Sequence, residues 1–120
     1  MIEGYVTEDG EPVITVTIAG REWIAIIDSG FNGDLELPAE LQTEMNLTPF
    51  GPIESILAGG QFLVEESYFV EFRLDGTLVR ALATFVAGEV ILIGTRLLQN
   101  HILTINFPAN SVQIERATGA

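Results

Sequence analysis

Turn dipeptides punctuate this chain at short intervals. Asp9-Gly10, Ala19-Gly20, Gly59-Gly60 and Asp75-Gly76 each sit between runs rich in Val, Ile, Thr and aromatic residues. Glycine supplies the positive φ that tight hairpin turns need, and β-branched residues favour a pleated strand. The spacing therefore predicts a mainly β fold built of hairpins. Val13 to Ile18 turns at Ala19-Gly20 into Arg21 to Ile27. Tyr68 to Leu74 turns at Asp75-Gly76 into Thr77 to Val86, and Val90 to Ile93 is a further apolar strand. Ile102 to Phe107 and Ser111 to Glu115 form a last hairpin around Pro108-Ala109-Asn110. Two short helices interrupt the strands. One starts with Pro38 at its first position and places Leu41 and Met45 on one face; the other runs from Thr95 to Asn100 with Thr95 as N-cap. No linker or low-complexity segment appears, so residues 1–120 are read as a single domain.

The chemistry-bearing feature is Asp28-Ser29-Gly30, delivered by the apolar run Ile24-Ala25-Ile26-Ile27. Apolar residues on both faces predict a buried strand whose end carries a carboxylate toward the interior. The tripeptide by itself is also ordinary turn chemistry: an Asx-turn, an ST-turn and a glycine at positive φ. The same plan recurs later in the chain as hairpin, apolar strand, Gly94 and helix, without a carboxylate at the turn.

Composition removes several function classes. The chain has no Cys, one His and no Lys. That excludes a thiolate nucleophile, a Cys-based zinc site, a two-His metal motif within one chain, a Schiff-base amine and a P-loop lysine. Five Arg against 17 acidic residues give a net charge of −12, which repels phosphate backbones and argues against nucleic acid as a partner. The most apolar stretch, Ala81 to Gly94, contains Glu89 and is too short to span a bilayer, so no membrane partner is expected. Met1 to Tyr5 lacks the basic and apolar regions of a signal peptide, and a cytoplasmic location is the expectation. The sequon-like Asn46-Leu47-Thr48 then reads as chance.

Three segments resemble the retropepsin-like aspartic proteases, in particular their small single-domain prokaryotic branch. They are Ala25 to Gly33 with Leu35-Glu36-Leu37-Pro38 after it, the glycine-containing hairpin Ile56 to Val64, and Ile91-Leu92-Ile93-Gly94-Thr95-Arg96-Leu97-Leu98. Together the match covers roughly Val13 to Glu115. The resemblance implies a closed β-barrel with two short helices and an aspartic endopeptidase activity without cofactor or metal. Asp28 is then the catalytic residue, with Ser29 and Gly30 as the active-site turn. Phe31, Asn32, Gly59 and Gly60 are the substrate-binding candidates, the last two in the flap. Ser29 stands where Thr is commoner, and Phe31 where the viral enzymes carry a small residue. Only Phe62 is available as a flap aromatic.

The reaction of that family needs two carboxylates sharing one proton. This chain has one such tripeptide, so the resemblance implies a homodimer acting on a peptide or protein substrate. The strands Ile2 to Val6 and Ser111 to Glu115 are the expected dimer sheet, with edges taken to be open. The alternative is a catalytically inactive module of the same fold that dimerises or binds peptide strands. A third reading, an unrelated β-barrel, leaves Asp28 only shaping a turn. Glu40 with Glu44, Glu65-Glu66, His101, Trp23 and Phe69 are read as structural.

Overall fold

The computed structural model describes residues 1–31, 33–57 and 59–117. Ten strands form one sheet: β1 (Ile2–Val6), β2 (Pro12–Ile18), β3 (Arg21–Asp28), β4 (Leu35–Pro38), β5 (Thr48–Ile56), β6 (Phe62–Leu74), β7 (Thr77–Val86), β8 (Ile91–Gly94), β9 (His101–Asn106) and β10 (Ser111–Arg116). Their order is β5-β6-β7-β4-β8-β3-β2-β1-β10-β9. All three expected hairpins form. Ala19 (φ 54°) with Gly20 (φ 77°), and Asp75 (φ 51°) with Gly76 (φ 76°), hold the two left-handed residues that a two-residue hairpin turn of matching twist requires.

The two apolar strands of the repeated plan, β3 and β8, lie side by side. β3 and β8 run parallel in register, Ile27 beside Ile93 and Asp28 beside Gly94. β4 then lies antiparallel to β8 and parallel to β7. Below them lies the core: Ile14, Ala25, Leu35, Leu37, Leu41, Ile91, Ile93, Val112 and Ile114 are each at most 1% exposed. Each large side chain among them contributes about 1.5–3 kcal/mol by leaving water.

Four expectations are corrected. The sheet is not a closed barrel: β5 and β9 are its two ends and do not pair with each other. The edges of β1 and β10 are not open either. β1 lies between β2 and β10, and β10 between β1 and β9. The two helices are single 3-10 turns, Ala39–Thr43 and Thr95–Leu98. Pro38 ends β4 instead of starting a helix, and Gly94 rather than Thr95 takes the N-cap position, with no side-chain cap bond. Only residues 95–100 separate β8 from β9, which favours the tighter helix there. Leu41 is nonetheless fully buried and Met45 packs against the core, as the four-residue spacing predicts. Finally, β3 is buried on one face only. Ala25 and Ile27 are in the core, whereas Ile24 is 44% exposed and Ile26 half-buried.

Trp23 belongs to the core, with the Arg21 guanidinium 4.2 Å above its ring. Arg21 also pairs with Glu40. Phe69 packs edge-on against Phe50 and beneath Arg80. His101 is not at a helix end but opens β9. Among the described residues, no helix is long and apolar enough to cross a membrane.

Candidate active site

Asp28 is the last residue of β3, so it closes the strand instead of following it in a loop. Side chains alternate along a strand. Asp28 therefore shares a face with Ile24 and Ile26, away from the core, and is half-exposed rather than buried. Its Oδ1 accepts a hydrogen bond from the Gly30 N–H at 2.9 Å, and its carbonyl accepts one from the Phe31 N–H at 3.2 Å. This is the Asx-turn that the tripeptide predicts, and it fixes the direction of the carboxylate. Gly30 does not use positive φ. What it supplies is room: a Cβ there stands 3.3 Å from Asp28 Oδ1.

Ser29 and Gly30 are exposed, and Phe31 is half-buried. The Phe31 ring lies over Gly33, where a Cβ meets ring carbons at 2.7 and 3.0 Å. The Phe-x-Gly spacing thus lets the aromatic fold back on its own turn. Asn32 lies outside the described residues. Gly59 (φ 97°) and Gly60 (φ 84°) are exposed at the tip of the β5–β6 hairpin, closed by Gly60 N–H to Leu57 O (3.0 Å) and Leu57 N–H to Gln61 O (2.7 Å). The flanks of this tip are apolar and open to solvent: Ile56 is 72% exposed, Phe62 66% and Val64 66%.

Two acidic residues near the turn carry weight that their sequence context hid. Asp34 ties the turn to the rest of the sheet. Its Oδ2 accepts from the Leu82 N–H of β7 (3.0 Å), its carbonyl accepts from the Gly94 N–H (2.9 Å), and Arg96 Nε stands 3.7 Å from Oδ1. Glu36 interrupts the otherwise apolar Leu35 to Pro38 on β4, and that interruption is the signal that could have found it. Its carboxyl is pushed above the usual range, first by burial and then by the negative charges of Glu65 and Asp28. Glu65 belongs to the stem of the exposed hairpin. The hairpin stem, β4 and the Asp28 turn thus share one electrostatic neighbourhood.

The raised Glu36 has a definite consequence for stability. The folded state holds this proton to higher pH than the unfolded chain, whose carboxyl titrates near 4.5. Glu36 therefore opposes folding increasingly as pH rises from that value through the raised one. Glu36→Gln is expected to melt higher than the parent at neutral pH and level with it well below pH 4.5. Thermal melts of both proteins across that range check this, and equal melting temperatures at neutral pH overturn it.

A cleft of about 790 Å³ lies elsewhere, bounded by Thr15, Met45, Phe69, Glu71, Arg73 and Leu78. Asp28 is not on its wall, and charges of both signs line it: Glu44, Glu71 and Asp75 with Arg73 and Arg80. Among the described residues, no group of three His, Asp or Glu side chains is arranged to hold a metal.

No protein-family model matches this sequence, and no curated protein matches it. Solved structures do match the fold. A retropepsin-like aspartic protease from Rickettsia conorii superposes with a TM-score of 0.62 at 16% identity, over 97% of this chain and 89% of that one. The protease of Simian foamy virus (mac) gives 0.54 at 21% identity, over 70% of this chain and 88% of that one. A foamy viral protease–reverse transcriptase in complex with an RNA/DNA hybrid gives 0.59 at 19% identity; the match takes in 81% of this chain but only 13% of that much longer one. The chain has the retropepsin-like fold.

Proposed function

We propose that this chain, folded as the retropepsin-like aspartic proteases are, is an aspartic endopeptidase that works as a homodimer with Asp28 as each copy's catalytic residue. One observation carries the reading. At the end of β3, in register with Gly94 of the parallel β8, the Asp28 carboxylate is held by the Gly30 N–H and turned away from the core. A half-exposed carboxylate in one copy becomes a dry, paired one only when a second copy covers it.

The chemistry follows from two such carboxylates. Like charges in a water-poor site do not both ionise, so the pair keeps one proton. The ionised member removes a proton from a water molecule, whose oxygen attacks the peptide carbonyl carbon. The protonated member donates to the carbonyl oxygen as it becomes negative. Protonation of the nitrogen then lets the C–N bond break, giving an acid and an amine and returning one proton to the pair. Ser29 braces the turn, and the hairpin of Gly59 and Gly60 closes over an extended peptide. The exposed apolar flanks Ile56, Phe62 and Val64 suit apolar side chains around the scissile bond. The charge of −12 per copy suits neutral or basic flanks.

Peptide-library hydrolysis across pH tests the reading. A bell-shaped profile on the acid side of neutrality is expected, because only the singly protonated pair works. Added salt should move the profile to lower pH, since it screens the surrounding negative charge. A statine-type transition-state analogue should inhibit, and a chelator should leave the rate unchanged. Hydrolysis that a chelator abolishes, or that rises steadily above neutral pH, overturns the assignment.

A further inference from the structure

The face of the sheet turned away from the core carries more than Asp28. Where β3 runs beside β8, Asp28 lies next to Gly94 and Ile26 next to Leu92. On β4, Glu36 lies next to Leu92 on one side and next to Thr84 of β7 on the other. Residues directly opposite each other in a sheet share a face. Asp28, Ile26, Leu92, Glu36 and Thr84 therefore line one face. Asp28 and Glu36 stand two strands apart on it, and Gly94 places no side chain between them.

Nothing on this face neutralises Glu36. Ile26 and Leu92 are apolar, and Thr84 is uncharged and buried. The charges that act on Glu36 are those of Glu65 on the β6 stem and Asp28, both negative. On the far side of Asp28, β2 pairs with β3 no further than Val13, and Glu11 beyond it is exposed. The chain has five Arg and no Lys, and each arginine is engaged elsewhere. Arg21 pairs with Glu40, Arg73 donates to Gly76 O, Arg80 lies over Phe69, Arg96 stands on Asp34, and Arg116 donates to Thr77. The one His opens β9, at the edge of the sheet.

We propose that Glu36 is a positioning residue for the proton of the Asp28 pair: its charge helps the pair keep that proton and so extends hydrolysis toward neutral pH. The inference rests on the protease reading above. Coupling between two groups is reciprocal. Burial and the charges of Glu65 and Asp28 hold the Glu36 proton to higher pH than usual, and an ionised Glu36 in turn opposes loss of the pair's proton. The effect is one-sided. At the low-pH limb of the rate profile Glu36 is itself protonated and exerts no charge. At the high-pH limb it is ionised and holds the limb up. Two strand spacings set the carboxyls about 10 Å apart, where one charge moves a titration by about 0.3–1 pH unit. The general negative field of the chain moves both limbs, so the two effects are separable.

Two measurements test the coupling. In pH–rate profiles, Glu36→Gln should bring the high-pH limb down by about 0.3–1 pH unit and leave the low-pH limb in place. A merely structural role changes the height of the profile without moving one limb. Glu22→Gln removes the same charge from the same face of β3, about 20 Å along the strand from Asp28, and should move neither limb. In carbon-13 NMR of the side-chain carboxyls, Glu36 should titrate at lower pH in Asp28→Asn than in the parent, by a similar amount. A high-pH limb that stays in place in Glu36→Gln, or moves equally in Glu22→Gln, overturns the coupling and leaves the protease reading standing. So does a Glu36 titration that Asp28→Asn does not change, and this arm decides alone if Glu36→Gln does not fold. A parent that hydrolyses no peptide at any pH overturns the inference and the protease reading together.

Discussion

Asp28→Asn is expected to lower peptide hydrolysis by about 10³-fold or more while leaving the fold in place. The loss follows from chemistry: an amide neither removes a proton from water nor gives one to the carbonyl oxygen, and a positioned acid–base group is typically worth about 10²–10⁴ in rate. Persistence of the fold follows from geometry. Among the described residues the Asp28 carboxyl makes one hydrogen bond, from Gly30 N–H to Oδ1 at 2.9 Å, and an amide oxygen can accept that bond equally. Asp28 is half-exposed, so the new NH₂ group remains near water and costs little. In the proposed dimer the pair carries one negative charge, and its removal should tighten the two-fold contact. The measurement is cleavage of a peptide library by mass spectrometry, alongside circular dichroism and sedimentation. An Asp28→Asn protein that cleaves at the parent's rate ends the catalytic assignment.

The second large effect is expected at Gly94. Its backbone is extended (φ −79°, ψ 156°), so any residue could adopt the conformation. Space is what forbids it. A Cβ at Gly94 overlaps the Gly33 carbonyl oxygen and stands 3.0 Å from the Phe31 carbonyl oxygen, both backbone atoms of the Asp28 turn. The turn cannot retreat freely, because the Gly94 N–H is bonded to Asp34 O and Asp34 is bonded to β7. Gly94→Ala should therefore destabilise by about 3 kcal/mol or more, at the upper end of overpacking costs. It should also displace the turn and reduce hydrolysis in the protein that remains folded. Gly88→Ala is the control, since a Cβ there meets nothing within 4 Å. Urea unfolding of both variants separates the cases, and a Gly94→Ala protein as stable as Gly88→Ala removes the argument.

What was legible in the sequence was local. Turn residues select φ within four positions, and β-branched runs select strands, so Ala19-Gly20 and Asp75-Gly76 announced their hairpins. Asp28 and Gly30, two residues apart, announced the Asx-turn. Apolar runs ending at Asp28 and Gly94 announced the strands β3 and β8. The 3-10 turns were not legible, because residue preferences do not separate a single 3-10 turn from the first turn of an α-helix.

Tertiary structure decided everything that joins distant positions. It set Gly94 against the Asp28 turn, bound Asp34 to Leu82 across 48 residues, and placed Glu36 under the charges of Asp28 and Glu65. It also turned Asp28 outward and left β9, rather than β1 or β10, at the edge. Side-chain and turn preferences act over a few bonds, whereas these relations follow from strand order. Strand order is selected by the burial of the whole sheet at once, and no single stretch of residues carries it.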